Sequence, residues 1–189
     1  LADTNSNSLI FYQNNENLPY LNYLQAIASQ MSQVTDMVHQ DWIATRDAFV
    51  SSSENTATSS LNMLTNDFIY YFEKGLRTNK FGIPAGVFSA NNTRSANVEA
   101  YYNTTQSKVL SLEALVAVEG FFKGKAYNST AVGASLKSYL DYMTENSTIS
   151  TAIITKFTDS EQLINMLDDN FSFQVTSNNN LMVDVFNKL

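Results

Sequence analysis

The run KFGIPAGVFS, at residues 80–89, interrupts a chain whose other long segments have the spacing of helices. It holds one of the two prolines and two of the six glycines in the 189 residues. Pro84 has no backbone N–H and disfavours helical geometry in the residue before it, while Gly82 and Gly86 adopt backbone angles that other residues resist. Because the run is also apolar, we predict a long irregular crossover, residues 80–97, that packs its own side chains against the ends of a helical bundle.

Before the crossover, apolar residues recur in alternating steps of three and four, which is the spacing of one face of an α-helix. Between Pro19 and about Phe49 this apolar stripe is formed by Leu21, Leu24, Ala28, Met31, Thr35, Val38 and Trp42. A second helix is predicted to start after Thr58 or Ser59 and to end between Gly75 and Asn79. We expect the stripe of the first helix to pack in the core of the bundle, Trp42 included.

After the crossover, the same spacing continues to the end of the chain. Further helices are predicted at about 96–122, 136–143, 146–167 and 173–189. No convincing alternation of apolar and polar residues indicates a β-strand. Long helices joined by short polar loops form an up-and-down bundle, so we predict an all-α fold. We assign residues 1–17 to a loosely ordered N-terminal segment and residues 18–189 to a single helical-bundle domain.

The charge balance excludes some classes of partner. The net charge is −7, from 11 Lys and Arg against 18 Asp and Glu, and the sequence has no basic cluster. Nucleic-acid binding needs Lys and Arg to neutralise phosphates, so we do not expect it. The chain has no cysteine, which excludes disulfides and thiolate metal sites. Its longest apolar run is far shorter than the ~20 residues that span a membrane, so we predict no transmembrane segment.

Residue types that suit a ligand site collect around the crossover. Lys80 is its first residue, and Glu99, Tyr102 and Ser107 follow it. An acid, an amine and hydroxyls at one end of a bundle can coordinate a ligand, or an ion through oxygen. A carboxylate in the first turn of a helix is equally explained by the helix dipole, so both interpretations of Glu99 stay open.

The single histidine, His39, does not indicate a zinc site. A helical zinc site places a second histidine four residues further on, and that position is Ile43. We interpret His39 as a structural or partly exposed residue. With one histidine and no nucleophile elbow, the sequence supports no Ser-His-Asp arrangement, and no glycine-rich phosphate loop follows a predicted strand.

The crossover also carries a family resemblance. Residues 82–86 read Gly-Ile-Pro-x-Gly, residues 98–102 read Val-Glu-x-x-Tyr, and Ser107 with the helix after it completes the pattern. This combination resembles the second half of imelysin-like proteins, and the similarity extends over residues 19–171.

The resemblance implies a location and a role. Imelysin-like proteins are bacterial, exported or lipid-anchored to the cell envelope, and often linked to iron uptake. They are built from two helical bundles with a site between them. For this chain the resemblance implies a binding or accessory domain in iron or metal uptake, in the periplasm or outer cell envelope of a bacterium.

The resemblance also implies site residues and partners. Lys80, Glu99 and Ser107 match the family pattern, and with Tyr102 we expect them to bind a ligand. Glu99 is the residue expected to contact iron or another divalent metal. The implied partners are the first half of the same protein or an envelope uptake component, and the implied membrane attachment is a lipid anchor in a precursor.

Some family members are classed as metallopeptidases on a Gly-x-His-x-x-Glu motif in their first half. Here Met37 stands two residues before His39 and Trp42 three residues after it, so the motif is absent. We therefore do not expect peptidase activity from this chain alone. Two alternatives stay open. One is a part of a metallopeptidase whose motif-bearing half lies outside this chain. The other is a partner-docking module without metal, which predicts an exposed apolar patch instead of a polar cleft.

Overall fold

The computed structural model describes Gln13 and residues 17–189, so nearly all of the predicted loose N-terminal segment lies outside the described residues. Contacts divide the chain into two compact units, the first ending at Leu64 and the second comprising Thr65–Leu189. The assignment of residues 18–189 to one domain stays a prediction, and each unit is described by itself.

Seven α-helices account for most of the described chain. In order they are α1 (Leu18–Ser51), α2 (Ser60–Tyr70), α3 (Gln106–Lys123), α4 (Leu136–Thr144), α5 (Thr148–Asn165), α6 (Phe171–Ser177) and α7 (Asn179–Lys188). Tyr71–Gly82 continues α2 as a π-helical segment, and Ser95–Asn97 forms a single 3₁₀ turn. Within the described residues the β-structure amounts to one isolated bridge, between Lys125 and Val132. The prediction of an all-α helical bundle is therefore confirmed.

The crossover starts later than predicted and is longer. Tyr71–Gly82 is helical, and its hydrogen-bond ladder persists to the N–H of Ile83. Pro84 has no N–H with which to continue this ladder, and Gly86 has a φ of 79°, which glycine adopts without strain. Apart from the 3₁₀ turn, irregular backbone then continues up to Gln106, well after the predicted start of the next helix.

The first unit leaves the long helix α1 uncovered. All 34 residues of α1 are described, and none of them is buried. Met31, Val38 and Trp42 are 66%, 63% and 44% exposed, so the predicted packing of this stripe in a core is wrong within the unit. The described residues that follow α1 in this unit are a loop and the first turn of α2, and they do not bury the stripe. Two contacts involve Phe49, near the C-terminal end of α1. The Trp42 ring lies edge-on to the Phe49 ring at 5.3 Å, and the Ser60 hydroxyl donates to the Phe49 carbonyl.

The second unit has a continuous apolar core. α3 packs against α5, α5 against α7, and the π-helical segment against both α7 and α3. Phe81 and Phe171 are almost fully buried, with ring centroids 5.7 Å apart. Other fully buried side chains, from the π-helical segment, α3, α5 and α7, are Leu76, Leu115, Ile164, Met182 and Val185. Because each such side chain contributes about 1.5–3 kcal/mol on burial, this unit is stabilised by its own core.

Polar contacts join α4 to α5 in the second unit. Ser135 and Ser138 form a capping box at the start of α4. Asp141 of α4 accepts hydrogen bonds from Lys137, at 2.6 Å, and from Ser150 of α5. These bonds, with that of Lys137 the stronger, hold the pKa of Asp141 below its usual value. A lowered folded-state pKa stabilises the fold above the unfolded-state pKa, and this contribution is lost as the pH falls through the folded-state value.

Candidate functional site

An ion pair joins the π-helical segment to the crossover. The Lys80 ammonium donates a hydrogen bond to Oε2 of Glu99. The Lys80 side chain is 10% exposed and the Glu99 side chain 44% exposed, so the ammonium is withdrawn from water while the carboxylate still faces it. A buried ammonium is costly unless a carboxylate neutralises it. Glu99 is therefore the group that allows Lys80 to be buried.

Glu99 does not stand in the first turn of a helix. Val98 has extended backbone angles, with φ −71° and ψ 145°, and Ala100 has a left-handed φ of 55°. Since α3 begins only at Gln106, Glu99 lies within the crossover. The helix-dipole explanation of this carboxylate is therefore wrong, and its observed partner is Lys80.

Ser107 fastens the crossover to α3. Its hydroxyl donates to the backbone carbonyl of Glu99 at 2.6 Å, and the residue is only 1% exposed. One turn further on, the Ser111 hydroxyl donates to the carbonyl of Ser107 at 2.9 Å. The structure thus brings Lys80, Glu99 and Ser107 together, with Glu99 as the common partner, and their expected ligand-binding role stays a prediction.

Tyr102 is not part of this cluster. It is 84% exposed, and its ring packs edge-on against Tyr101 with centroids 5.2 Å apart. The hydrogen bonds that join Lys80, Glu99 and Ser107 do not include its hydroxyl. A ligand-binding role for Tyr102 would require a ligand that reaches beyond the ion pair, and this role stays a prediction.

The cluster lacks the set of ligands that a metal ion requires. Among the described residues, no three His, Cys, Asp or Glu side chains lie close enough together to hold a metal ion. Hard divalent ions take six or more oxygen ligands, including carboxylates, whereas Glu99 is one carboxylate held by an ammonium that repels a cation. The described residues therefore do not form a metal site by themselves. A metal at Glu99 would need ligands from outside them.

Other contacts of the crossover region have no signal in the sequence. The Arg77 guanidinium donates to the carbonyl of Phe186 at 2.9 Å and lies 3.9 Å from the centre of the Phe186 ring. The Asn179 side-chain amide donates to the carbonyl of Ala85 at 2.9 Å. These residues are 109 and 94 positions apart from their partners. Together they hold the crossover region against α7.

Open grooves also lie among the described residues of the second unit. One, of about 250 Å³, is lined mainly by apolar side chains, including Phe68, Phe72 and Phe157. Another, of about 360 Å³, lies beside Phe121 and Tyr127 and is more polar. Neither groove is lined by residues of the Lys80–Glu99 cluster.

Comparisons with known proteins leave the resemblance untested. No protein-family model matches this chain, and neither the curated proteins nor the solved structures give a significant match. The imelysin-like interpretation therefore stays a hypothesis that depends on the crossover motif. Within the part of the chain that the structure describes, no helix combines the length and apolarity needed to cross a membrane.

The ion pair makes a prediction about stability. Glu99→Ala is expected to lower the free energy of unfolding by about 1–3 kcal/mol, because it leaves the Lys80 ammonium buried without its acceptor. Lys80→Met removes the buried charge together with the pair and is expected to cost less. Glu113→Ala is the matched control, since this glutamate of α3 is exposed and should change stability by less than about 0.5 kcal/mol. Urea unfolding at neutral pH measures all three, and equal losses for Glu99→Ala and Glu113→Ala would contradict the assigned role.

Proposed function

We propose that this chain is a helical interaction module that docks a protein partner on α1. The observation that carries the proposal is the uncovered apolar face of this helix. Exposed large apolar side chains of α1 include Leu21, Ile27, Met31, Val34, Met37, Val38, Trp42 and Ile43. A large exposed apolar surface is typical of sites of interaction with other molecules.

The composition of α1 makes its isolation in water unfavourable. Its charged side chains among 34 residues are Asp36, Asp41, Arg46 and Asp47. A helix in a protein owes most of its stability to the packing of its apolar face, not to intrinsic propensity. Burying each large stripe residue would contribute about 1.5–3 kcal/mol. The free energy gained when a partner buries the apolar side chains of α1 would therefore both bind the partner and stabilise the helix.

The second unit supports this division of roles. Its core is complete within Thr65–Leu189, with Leu76, Phe81 and Ile164 fully buried. Variants on α1 can therefore be made without removing side chains from that core, so docking and folding can be measured separately.

Site-specific photo-crosslinking tests the proposal. A benzophenone amino acid replaces Met31, on the apolar stripe, in the cells that naturally make the chain. The matched control replaces Gln33, on the opposite face of α1. We expect a crosslinked protein product from position 31. The yield of crosslinked product from position 33 should be at least several-fold lower. Equal products at both positions, or none above the mass of the single chain at position 31, would remove α1 as a docking element.

A second proposal follows from the crossover motif. The imelysin-like resemblance suggests a protein of the periplasm or outer cell envelope of a bacterium that acts as a binding or accessory domain in iron or metal uptake. What favours it is that Lys80, Glu99 and Ser107, three positions matched to the family, meet at Glu99: Lys80 donates to its carboxylate and Ser107 to its backbone carbonyl. Because these residues lack further metal ligands, the first half of the same protein or an uptake component would complete the site.

Isothermal titration tests the metal role. Ferrous iron and zinc ions are titrated into the parent chain and into Glu99→Ala under identical conditions. The parent is expected to give binding heat. Glu99→Ala is expected to bind the metal at least tenfold more weakly. If neither protein gives heat, or the two are indistinguishable, this chain does not bind the metal through Glu99.

A further inference from the structure

We propose that the partner of α1 is the same helix of a second copy of this chain, aligned in parallel. The inference rests on the proposed docking role of α1 and names its partner. Four features carry it: the heptad spacing of the stripe, the satisfied polar groups within it, the placement of its charges and its self-complementarity.

The stripe keeps a strict heptad along the whole helix. Writing Leu21 as position a, the a positions are Leu21, Ala28, Thr35, Trp42 and Phe49. The d positions are Leu24, Met31, Val38 and Thr45. A seven-residue repeat sustained over four heptads matches the seam between two helices that wind around each other left-handedly. At about 1.5 Å per residue, α1 offers a seam of about 50 Å.

The two threonines in the seam do not oppose its burial. The Thr35 hydroxyl donates to the carbonyl of Met31 at 2.8 Å, and the Thr45 hydroxyl donates to the carbonyl of Asp41 at 2.7 Å. Each hydroxyl is therefore satisfied within α1 itself, which leaves the threonine methyl group to pack across the seam. The aromatic rings of Trp42 and Phe49 already pack on each other, and both lie at a positions.

The charges beside the seam fit a parallel pair. Asp41 occupies a g position and Arg46 the e position of the next heptad. In a parallel two-helix coil, a g residue faces the e residue five positions further along the other helix. Asp41 of each copy then faces Arg46 of the other, and two-fold symmetry forms the pair twice. At present Arg46 contacts Asp47 at 3.1 Å with side chains 61% and 96% exposed, a pair weak enough to be exchanged.

An antiparallel pair cannot use these charges at any register. There e positions face e positions and g positions face g positions. The e row, Leu18, Gln25, Ser32, His39 and Arg46, contains no acid. The g row, Tyr20, Ile27, Val34, Asp41 and Ala48, contains no cation. The remaining acids, Asp36 and Asp47, lie at outer b and f positions. The charge pattern therefore selects the parallel direction.

The parallel arrangement is also self-complementary. One copy supplies both the acid and the cation, and each meets its counterpart on an identical helix. This is what an isologous two-fold interface requires, since the same patch must fit itself. A second copy thus pairs both charged positions that border the seam, Asp41 and Arg46.

Sedimentation equilibrium of the full 189-residue chain tests the proposal. The parent is expected to approach twice its monomer mass of 21.1 kDa as its concentration rises. Asp41→Arg should raise the dimer dissociation constant about tenfold, because it turns two attractive pairs into repulsive ones. The double variant Asp41→Arg, Arg46→Asp should restore the parent value. Asp47→Arg makes the same charge change on the outer face and should leave the constant within about twofold. Circular dichroism checks that each variant has the helix content of the parent when the two are compared in the same oligomeric state.

A cysteine variant tests the direction of pairing. The chain has no cysteine, so Thr45→Cys introduces a single thiol at a d position. Symmetric d positions face each other only in the parallel pair, and we expect oxidation to give a covalent dimer. Gln40→Cys, at an outer f position, should give at least tenfold less.

Several results would overturn the proposal. A parent chain that stays monomeric throughout the concentration range would do so. Equal effects of Asp41→Arg and Asp47→Arg on the dimer dissociation constant would also do so. So would failure of Thr45→Cys to form a disulfide in the dimer. A monomeric parent with stripe-specific photo-crosslinks to a different protein would remove self-pairing and keep the docking role of α1. A monomeric parent without such crosslinks would remove both.

Discussion

The burial of apolar surface is the constraint on which this structure depends, and its two units meet it differently. In Thr65–Leu189, the side chains of the π-helical segment, α3, α5 and α7 close around one core, with Leu76, Phe81 and Ile164 withdrawn from water. In the first unit, α1 has the same apolar spacing and buries none of its residues. The interaction role proposed for α1 is the direct consequence, because an apolar seam of this length is stabilised only when something covers it.

The polar groups of the crossover follow from the same constraint. Once Phe81 enters the core, Lys80 beside it is carried out of water, and its ammonium then needs a carboxylate. Glu99 supplies it, and Ser107 fixes the backbone of Glu99 onto α3. The Lys80–Glu99 cluster is therefore explained as a tie between elements before any ligand is invoked. A ligand role for it would have to coexist with this structural one.

The sequence predicted the helices because their apolar spacing is a local property, and it predicted the crossover because Pro84 and Gly86 act locally. It placed the limits of the crossover wrongly, since neither the π-helical continuation to Gly82 nor the late start of α3 leaves a periodic signal. The meeting of Lys80, Glu99 and Ser107 could be predicted from their nearness to one irregular segment. The contact of Arg77 with Phe186 could not, because nothing local relates residues 109 positions apart. The core position expected for Trp42 failed for a related reason: spacing identifies an apolar face but not what covers it.

Hydrogen–deuterium exchange at increasing protein concentration tests the central claim most directly, with α3 as the internal reference. The account predicts that the amides of α1 become protected as the concentration rises, while those of α3 keep constant protection. Protection of α1 that is already complete at the highest dilution would show that the chain covers the stripe by itself. Either that result, or exchange of the α1 amides that does not change with concentration, would contradict the claim that α1 pairs with a second copy.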